Sequence, residues 1–170
     1  MIYNQSTVSK RLAVSGLIGA LYFVLTVILY PLSYGGVQVR VSEALSILPL
    51  FYGFDAVIGL TVGCLIANVF GTNGLIDVIL GTFATLIASL ITYYISKKTK
   101  SNAKFFIGGI PPVIVNALIV PLTFLAITEL KEAYLINALQ VLTGQALSVY
   151  LIGTPLYFAL KKRQNKKGLK

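Results

Sequence analysis

Long apolar segments recur along almost the whole chain and are separated by short polar or charged stretches. Segments at 12–30, 75–96, 105–127 and 133–160 are each long enough to cross roughly 30 Å of hydrocarbon as a helix. The region 42–70 is too long for one crossing, and Pro49 and Gly53 interrupt it near its middle, where they end or kink a helix. We therefore predict an all-α membrane protein with a single integral membrane domain over 1–170. Its six transmembrane helices are expected at about 11–30, 42–52, 56–70, 75–96, 104–127 and 133–160.

The composition fits a chain that is embedded in a lipid bilayer. Charged residues make up only 11% of the chain, against about 25% in an average soluble domain. The net charge of +9 would suggest a nucleic-acid partner in a soluble protein. Here twelve of the fourteen Lys and Arg residues are bunched at 10–11, 97–104 and 161–170, beside apolar segments, as expected of cytoplasmic anchors. We therefore expect the bilayer, and not nucleic acid, as the partner of these charges.

The basic clusters also predict an orientation. If the clusters at 10–11 and 97–104 are both cytoplasmic, an even number of crossings separates them. Since three segments would break this parity, the 42–70 region must contribute two helices, and both termini are then cytoplasmic in a multi-pass protein of the cell membrane. The helix at 42–52 is only about 17 Å long at 1.5 Å per residue, so we expect its neighbours to shield it.

Several kinds of chemistry have no basis in the sequence. His is absent, the five acids are scattered and Cys64 has no partner Cys, which argues against His-based acid–base catalysis, a metal site and an intramolecular disulfide. A phosphate-binding loop with its Gly-Lys-Ser/Thr ending is also absent, so we expect no ATP site in this chain. The sequence predicts a protein that is not an enzyme and that binds no cofactor.

Polar side chains inside a membrane are costly, so their depth is informative. In the predicted topology nearly every embedded Asp, Glu, Asn or Gln falls in the outward half, whereas the inward half is apolar. This asymmetry predicts a polar cup that opens to the outside and holds a small ligand. The candidate ligand-binding residues are Arg40, Glu43, Asn68, Asp77, Asn116 and Gln145.

The same residues also have structural interpretations. Glu43 and Asp77 follow the candidate helix caps Ser42 and Asn73, where a carboxylate complements the helix dipole. Arg40 could pair with Glu43 or lie in solvent. Amide side chains often join helices within a membrane bundle. The shared bias of all these residues to one side favours a ligand site.

A series of motifs between 39 and 82 resembles a known family. They are VRVSEAL at 39–45, LPL at 48–50, GCLIAN at 63–68, GLIDV at 74–78 and GT at 81–82. With them, the chain resembles the QueT-type, queuosine-precursor substrate-binding subunit (S component) of energy-coupling factor (ECF) transporters. The size and the six-helix arrangement agree with that family over essentially the whole chain.

The resemblance implies a fold, a function and partners. The fold would be an ECF S-component-like bundle that captures a queuosine precursor, an aminomethyl-deazaguanine or queuine, on the extracytoplasmic side of an ABC importer. The partners would be a transmembrane coupling protein and two ABC ATPases, which use the ATP. In related subunits a small-residue face of helix one meets the coupling protein, and Ala13, Gly16 and Ala20 occupy the matching positions. By spacing alone, packing within the bundle is the more usual explanation for such a face.

A deazaguanine ligand suits the predicted cup chemically. Its ring N–H and exocyclic amine form a donor pair that a carboxylate accepts, and an aminomethyl group is a cation. We expect Glu43 or Asp77 at the guanine-like edge and the other acid near the cation. The remaining roles fall to Asn68, Asn116 and Gln145 as hydrogen-bonding groups and to Tyr34 or Phe70 as a stacking ring.

Other functions stay open on the sequence alone. The same architecture could bind another vitamin or a nucleobase, and the chain could instead be a stand-alone small-molecule permease. A membrane scaffold without a ligand is a third alternative. Mass spectrometry of the ligand that copurifies with the protein would separate these alternatives.

Overall fold

The computed structural model describes residues 7–33, 39–71, 74–99, 103–123, 125 and 131–168. Within these residues every regular element is helical and no strand occurs. The elements include α-helices, a 3₁₀ helix and a π-helix. In chain order they are α1 (Val8–Ile28), α2 (Tyr30–Ser33), the 3₁₀ helix (Val41–Ile47), α3 (Pro49–Tyr52), α4 (Phe54–Val69), α5 (Gly74–Lys98), α6 (Lys104–Ile119), α7 (Lys131–Ala146), the π-helix (Leu147–Ile152) and α8 (Gly153–Gly168).

Three helical stretches are long and apolar enough to cross a membrane. They are Val8–Ile28, Gly74–Lys98 and Tyr134–Lys166. Shorter apolar stretches cover Val41–Tyr52, Phe54–Val69 and Lys104–Ile119. Many large apolar side chains are exposed, such as Leu17 and Leu151, as expected where lipid surrounds a protein. Over its described residues the protein is therefore an all-helical membrane protein, while the number of crossings and the side of each terminus stay predictions.

The region predicted as one short helix at 42–52 contains two different helices. The 3₁₀ helix ends at Ile47 and α3 begins at Pro49, which stands at the start of a helix, where its missing N–H is not needed. Gly53 ends α3 with φ of 66°, a backbone conformation that glycine adopts without a steric penalty. The predicted break between the second and third helices lies at this glycine.

Two other predicted helices have different bounds. The helix expected over 104–127 is observed as α6, which ends at Ile119. The helix expected over 133–160 is observed as α7, the π-helix and α8 in direct succession, and it continues to Gly168. An apolar pattern does not reveal a π-helix, because one extra residue per turn leaves the composition of the segment unchanged.

The basic clusters meet at one end of the bundle. The start of α4 lies beside the start of α1 and beside the end of α5. The start of α6 lies beside α8. The contacts are Arg11 Nε to Asp55 Oδ1 at 2.9 Å, the rings of Phe54 and Tyr93 at 6.0 Å and the rings of Phe105 and Tyr157 at 4.7 Å. We call this the basic end.

Glycines allow α1 and α4 to pack closely. A Cβ at Gly59 would lie 2.6 Å from the carbonyl oxygen of Ser15, and a Cβ at Gly63 would lie 2.6 Å from that of Gly19. The backbones therefore touch along a stripe of α1 that contains Ser15, Gly19, Tyr22 and Thr26, all of them buried. This packing fixes the inner face of α1 against α4 and aims Tyr22 and Thr26 at the 3₁₀ helix.

Candidate functional site

The 3₁₀ helix aligns a row of polar residues. Because such a helix has three residues per turn, side chains at i and i+3 lie directly above one another. Arg40, the residue that precedes the helix, therefore shares one side with Glu43 and Ser46, and all three are buried. A 3₁₀ helix of seven residues is longer than usual, and its length keeps this row in register.

Arg40 joins the ends of three elements far from the basic end. Its Nη1 donates to Asn68 Oδ1 at 3.0 Å, and its Nη2 lies 3.7 Å from Asp77 Oδ2. Its Nε donates to the carbonyl oxygen of Ser33 at 3.4 Å. Asn68 lies at the end of α4 and Asp77 in the first turn of α5, and both are buried. A buried guanidinium requires such partners, since an unpaired buried charge is strongly unfavourable.

Glycine leaves room for this cluster. A Cβ at Gly81 would lie 2.7 Å from Asn68 Nδ2 and 3.8 Å from Asp77 Oδ1. Gly81 lies one helical turn after Asp77 on α5. The motif GLIDV followed by GT therefore supplies both the acid and the space beside it.

Glu43 is held by neutral groups. It is 2% exposed. The hydroxyl of Tyr22 donates to its Oε1, and Ser46 Oγ donates to its Oε2 at 2.7 Å. Within the described residues no ion pair joins Glu43 to a cation. Counted by formal charge, Arg40, Asp77 and Glu43 together carry one net negative charge.

A further polar group lies one turn from Asn68. Cys64 Sγ accepts hydrogen bonds from Asn68 Nδ2 at 3.4 Å and from Thr85 Oγ1 at 3.2 Å. Thr26 Oγ1 donates to Ser42 Oγ at 2.7 Å. The prediction that Ser42 caps this helix is wrong, because the 3₁₀ helix already begins at Val41. The hydroxyl of Ser42 instead bonds to Thr26 on α1.

The structure unites some of the predicted site residues. Arg40, Asn68 and Asp77 form one cluster, and Glu43 lies one 3₁₀ turn from Arg40. Arg40 pairs with Asp77 and not with Glu43, which was the structural alternative. Asn73, the other candidate cap, lies outside the described residues. We call Arg40, Glu43, Asn68 and Asp77 the charged cluster.

Asn116 and Gln145 are buried on other helices. Asn116 Nδ2 donates to the carbonyl oxygen of Pro112 on its own helix at 2.8 Å. Gln145 lies near the end of α7, and its Oε1 has no hydrogen-bond partner among the described residues. Among the described residues, no hydrogen bond joins Asn116 or Gln145 to the charged cluster.

The two candidate stacking rings have different outcomes. Phe70 is 62% exposed, and its ring centroid lies 5.4 Å from that of Phe23. It therefore packs on the surface of α1, outside the buried cluster. Tyr34 lies outside the described residues.

Sequence reasoning missed the groups that hold Glu43 and Asn68. Tyr22, Ser46, Cys64 and Thr85 are ordinary members of apolar segments by pattern. Tyr22 carried a usable signal, since its hydroxyl falls in the middle of a predicted crossing, where it requires a buried partner. Within the described residues, no three Cys, Asp or Glu side chains are placed to hold a metal ion.

The small-residue face of α1 borders a groove. The groove has a volume of about 570 Å³ and lies between α1 and α4. Gly16 and Ala20 line it, whereas Ala13 is exposed beyond it. A Cβ at Gly16 would meet nothing within 4 Å, while one at Gly19 would lie 2.9 Å from the carbonyl oxygen of Gly59. Packing within the bundle thus explains Gly19 but does not require a glycine at position 16.

Comparisons with known proteins identify the family. The protein "Queuosine precursor transporter QueT" of Lactococcus lactis subsp. cremoris (strain MG1363) is 40% identical over 73 residues, which is 42% of this chain and 42% of that protein. No solved structure matches the chain significantly. The QueT transporter family matches residues 12–162. Since this match spans most of the chain, the protein belongs to the QueT transporter family, a family of transporters and not of enzymes.

Proposed function

We propose that this protein is the S component of an ECF-type ABC importer and captures a queuosine precursor on the extracytoplasmic side of the cell membrane. The charged cluster is the observation that carries the proposal. It buries two acids and a guanidinium in a protein that belongs to a transporter family. Its position far from the basic end supports an extracytoplasmic site, because basic clusters favour the cytoplasmic side.

The donors and acceptors of the cluster match a guanine-like edge. Such an edge presents a carbonyl acceptor beside two N–H donors. Arg40 and Asn68 supply donors to the carbonyl, and the carboxylate of Asp77 accepts the two N–H groups side by side. The 3.0 Å and 3.7 Å separations of Arg40 from Asn68 and Asp77 keep these groups next to one another.

Charge balance supports a role for the other acid. The charge of Asp77 is compensated by Arg40, whereas that of Glu43 meets only the hydroxyls of Tyr22 and Ser46. A cationic aminomethyl group or the secondary amine of queuine would neutralise Glu43 and complete its environment. We therefore assign Glu43 to the cationic group and Asp77 to the guanine-like edge, which the sequence alone left undecided.

The groove between α1 and α4 supports the proposed partners. Gly16 and Ala20 leave a shallow apolar surface that nothing in the described residues fills. A transmembrane coupling protein could approach closely there, since small residues let helix backbones meet. Two ABC ATPases bound to that coupling protein would supply the energy.

Two measurements test the proposal. Mass spectrometry of the ligand released from the purified protein is expected to find an aminomethyl-deazaguanine or queuine, and a different vitamin or base would overturn the substrate assignment. In liposomes, uptake is expected only with the coupling protein, both ATPases and ATP. Uptake by this chain alone would instead identify a stand-alone permease.

The groove has its own test with a matched control. Gly16→Leu fills the groove and is expected to abolish copurification with the coupling protein while ligand affinity stays unchanged. Leu17→Ala alters an exposed position of α1 outside the groove and is expected to change neither property. Retention of the partner by Gly16→Leu would exclude this surface.

A further inference from the structure

Two buried oxygens near the junction of α7 and the π-helix lack partners. Gln145 is 6% exposed and Ser148 is 0% exposed. Gln145 Oε1 and Ser148 Oγ have no hydrogen-bond partner among the described residues. Both lie within the apolar stretch Tyr134–Lys166, where lipid supplies no hydrogen bonds. Buried polar groups are almost always satisfied in working proteins, so each oxygen calls for a group that the described residues do not provide.

Other hydroxyls in this chain show the hydrogen bond that Ser148 lacks. In α-helices Ser and Thr commonly donate to a carbonyl oxygen one turn earlier. Thr61 donates to Val57 and Thr143 to Leu139 in this way, at 2.8 Å and 2.6 Å. Ser148 lies in the π-helix, where the wider turn changes the register of the preceding carbonyls, and it makes no such bond. π-Helical turns inside α-helices occur frequently at functional sites.

The π-helix lies against the element that carries Glu43. Val149 and Ile47 belong to the same buried cluster, and a Cβ at Gly153 would lie 3.4 Å from the carbonyl oxygen of Ala44. The residue after Glu43 is therefore in contact with the end of the π-helix. Gln145 and Ser148 thus belong to the helical stretch that packs against the 3₁₀ helix beside Ala44, the residue next to Glu43.

A deazaguanine has three distinct polar sides. One is the guanine-like edge, a second carries the cationic substituent, and the third presents a ring-nitrogen acceptor beside the pyrrole N–H. The proposed function assigns the first side to Arg40, Asn68 and Asp77 and the second to Glu43. An acceptor oxygen beside a hydroxyl, which both donates and accepts, complements the third side.

We propose that Gln145 and Ser148 bind the pyrrole edge of the ligand and make the protein selective for the free base over derivatives substituted at the pyrrole nitrogen, such as nucleosides. This inference rests on the proposed function. Gln145 Oε1 accepts the pyrrole N–H, and Ser148 Oγ donates to the neighbouring ring nitrogen. A substituent on the pyrrole nitrogen removes the donor and leaves the buried oxygen of Gln145 unsatisfied. Sites built to bind an N–H discriminate strongly against ligands that lack it.

The test is calorimetric titration of the purified full-length protein with two probes. They are the aminomethyl-deazaguanine base and the same base methylated at its pyrrole nitrogen. The wild-type protein is expected to bind the methylated base at least about tenfold more weakly, as the loss of one buried hydrogen bond implies. In Gln145→Leu the affinity for the unmethylated base is expected to fall by a similar factor, so that the two probes bind with almost equal affinity.

Ser148→Ala and Thr123→Val complete the design. Ser148→Ala is expected to weaken the binding of both probes by a similar factor. It is not expected to lower the thermal stability of the ligand-free protein, since Ser148 Oγ has no structural partner in the described residues. Thr123 is another buried hydroxyl without such a partner, but it lies beyond the end of α6. Thr123→Val is therefore the matched control, and it is expected to bind both probes like the wild type.

Each outcome decides one question. Unchanged affinity in Ser148→Ala, or undiminished discrimination in Gln145→Leu, would overturn the assignment of the pyrrole edge while leaving the proposed function intact. A destabilised ligand-free Ser148→Ala would show a structural role and would overturn it as well. Failure of the wild-type protein to bind either probe would refute the proposed function itself, and the pyrrole-edge assignment with it.

Discussion

Replacement of Glu43 by Gln separates the charge of this side chain from its size. Gln keeps the length of Glu and can accept a hydrogen bond from Tyr22 or Ser46, but it cannot neutralise a ligand cation. Hydrogen bonds to charged groups contribute about 1.5–3 kcal/mol, and Glu43 is 2% exposed, so water screens this interaction little. We expect Glu43→Gln to weaken the binding of an aminomethyl-deazaguanine by about 10- to 150-fold.

The assay compares two ligands that differ in charge. Calorimetric titration with the aminomethyl base and with the neutral cyano analogue is expected to show the large loss for the cation alone. Asp77→Asn is expected to weaken the binding of both ligands, because both carry the guanine-like edge. Asp55→Asn is the matched control, since Asp55 is also buried but pairs with Arg11 at the basic end.

The stability of the ligand-free protein gives an independent readout. An uncompensated buried charge destabilises a protein, so ligand-free Glu43→Gln is expected to unfold at the same temperature as the wild type or at a higher one. An equal loss of affinity for the cationic and the neutral ligand would refute the charge argument. So would a variant that binds both ligands like the wild type.

Glycine substitutions test the packing of the site and of the bundle. Gly81→Ala places a Cβ 2.7 Å from Asn68 Nδ2 and is expected to lower ligand affinity at least tenfold in the same titration; unchanged affinity would show that the amide is not part of the site. Gly63→Ala places a Cβ 2.6 Å from the carbonyl oxygen of Gly19 and is expected to reduce stability by about 1–3 kcal/mol in thermal unfolding. Gly16→Ala, with nothing within 4 Å, is expected to leave stability unchanged or raise it slightly through helix propensity; a large loss would mean that position 16 packs inside the bundle.

The sequence predicted those parts of the fold that depend on local chemistry. Pro49 and Gly53 interrupt an apolar run, and the structure breaks the helix there. The 3₁₀ form of the segment before Pro49 could not be predicted, because neighbouring helices, and not propensity, select between helix types at such a length. The same holds for the π-helix at 147–152.

The candidate site was predictable where charge was involved. Arg40, Asn68 and Asp77 come from three elements, and a common depth in the predicted topology was enough to group them. Tyr22 was missed because an aromatic residue in an apolar segment has the pattern of a core residue. Phe70 was placed at the site by its position in the chain, but a helix end exposes some side chains and buries others, and only the packing of α1 decides which.

The two faces of α1 connect the charged cluster with the groove. Its inner face carries Tyr22, which holds Glu43, and Thr26, which holds Ser42. Its outer face carries Gly16 and Ala20 in the groove. Because one rigid helix bears both faces, a partner that shifts α1 along the 3₁₀ helix must strain both hydrogen bonds. Glu43 would then lose one of its two hydroxyl donors while still buried, and its affinity for a cationic ligand would change. If the proposed coupling protein binds in the groove, the position of Tyr22 on the same helix links ligand affinity to partner binding. By thermodynamic reciprocity the ligand then alters the affinity for the partner by the same factor.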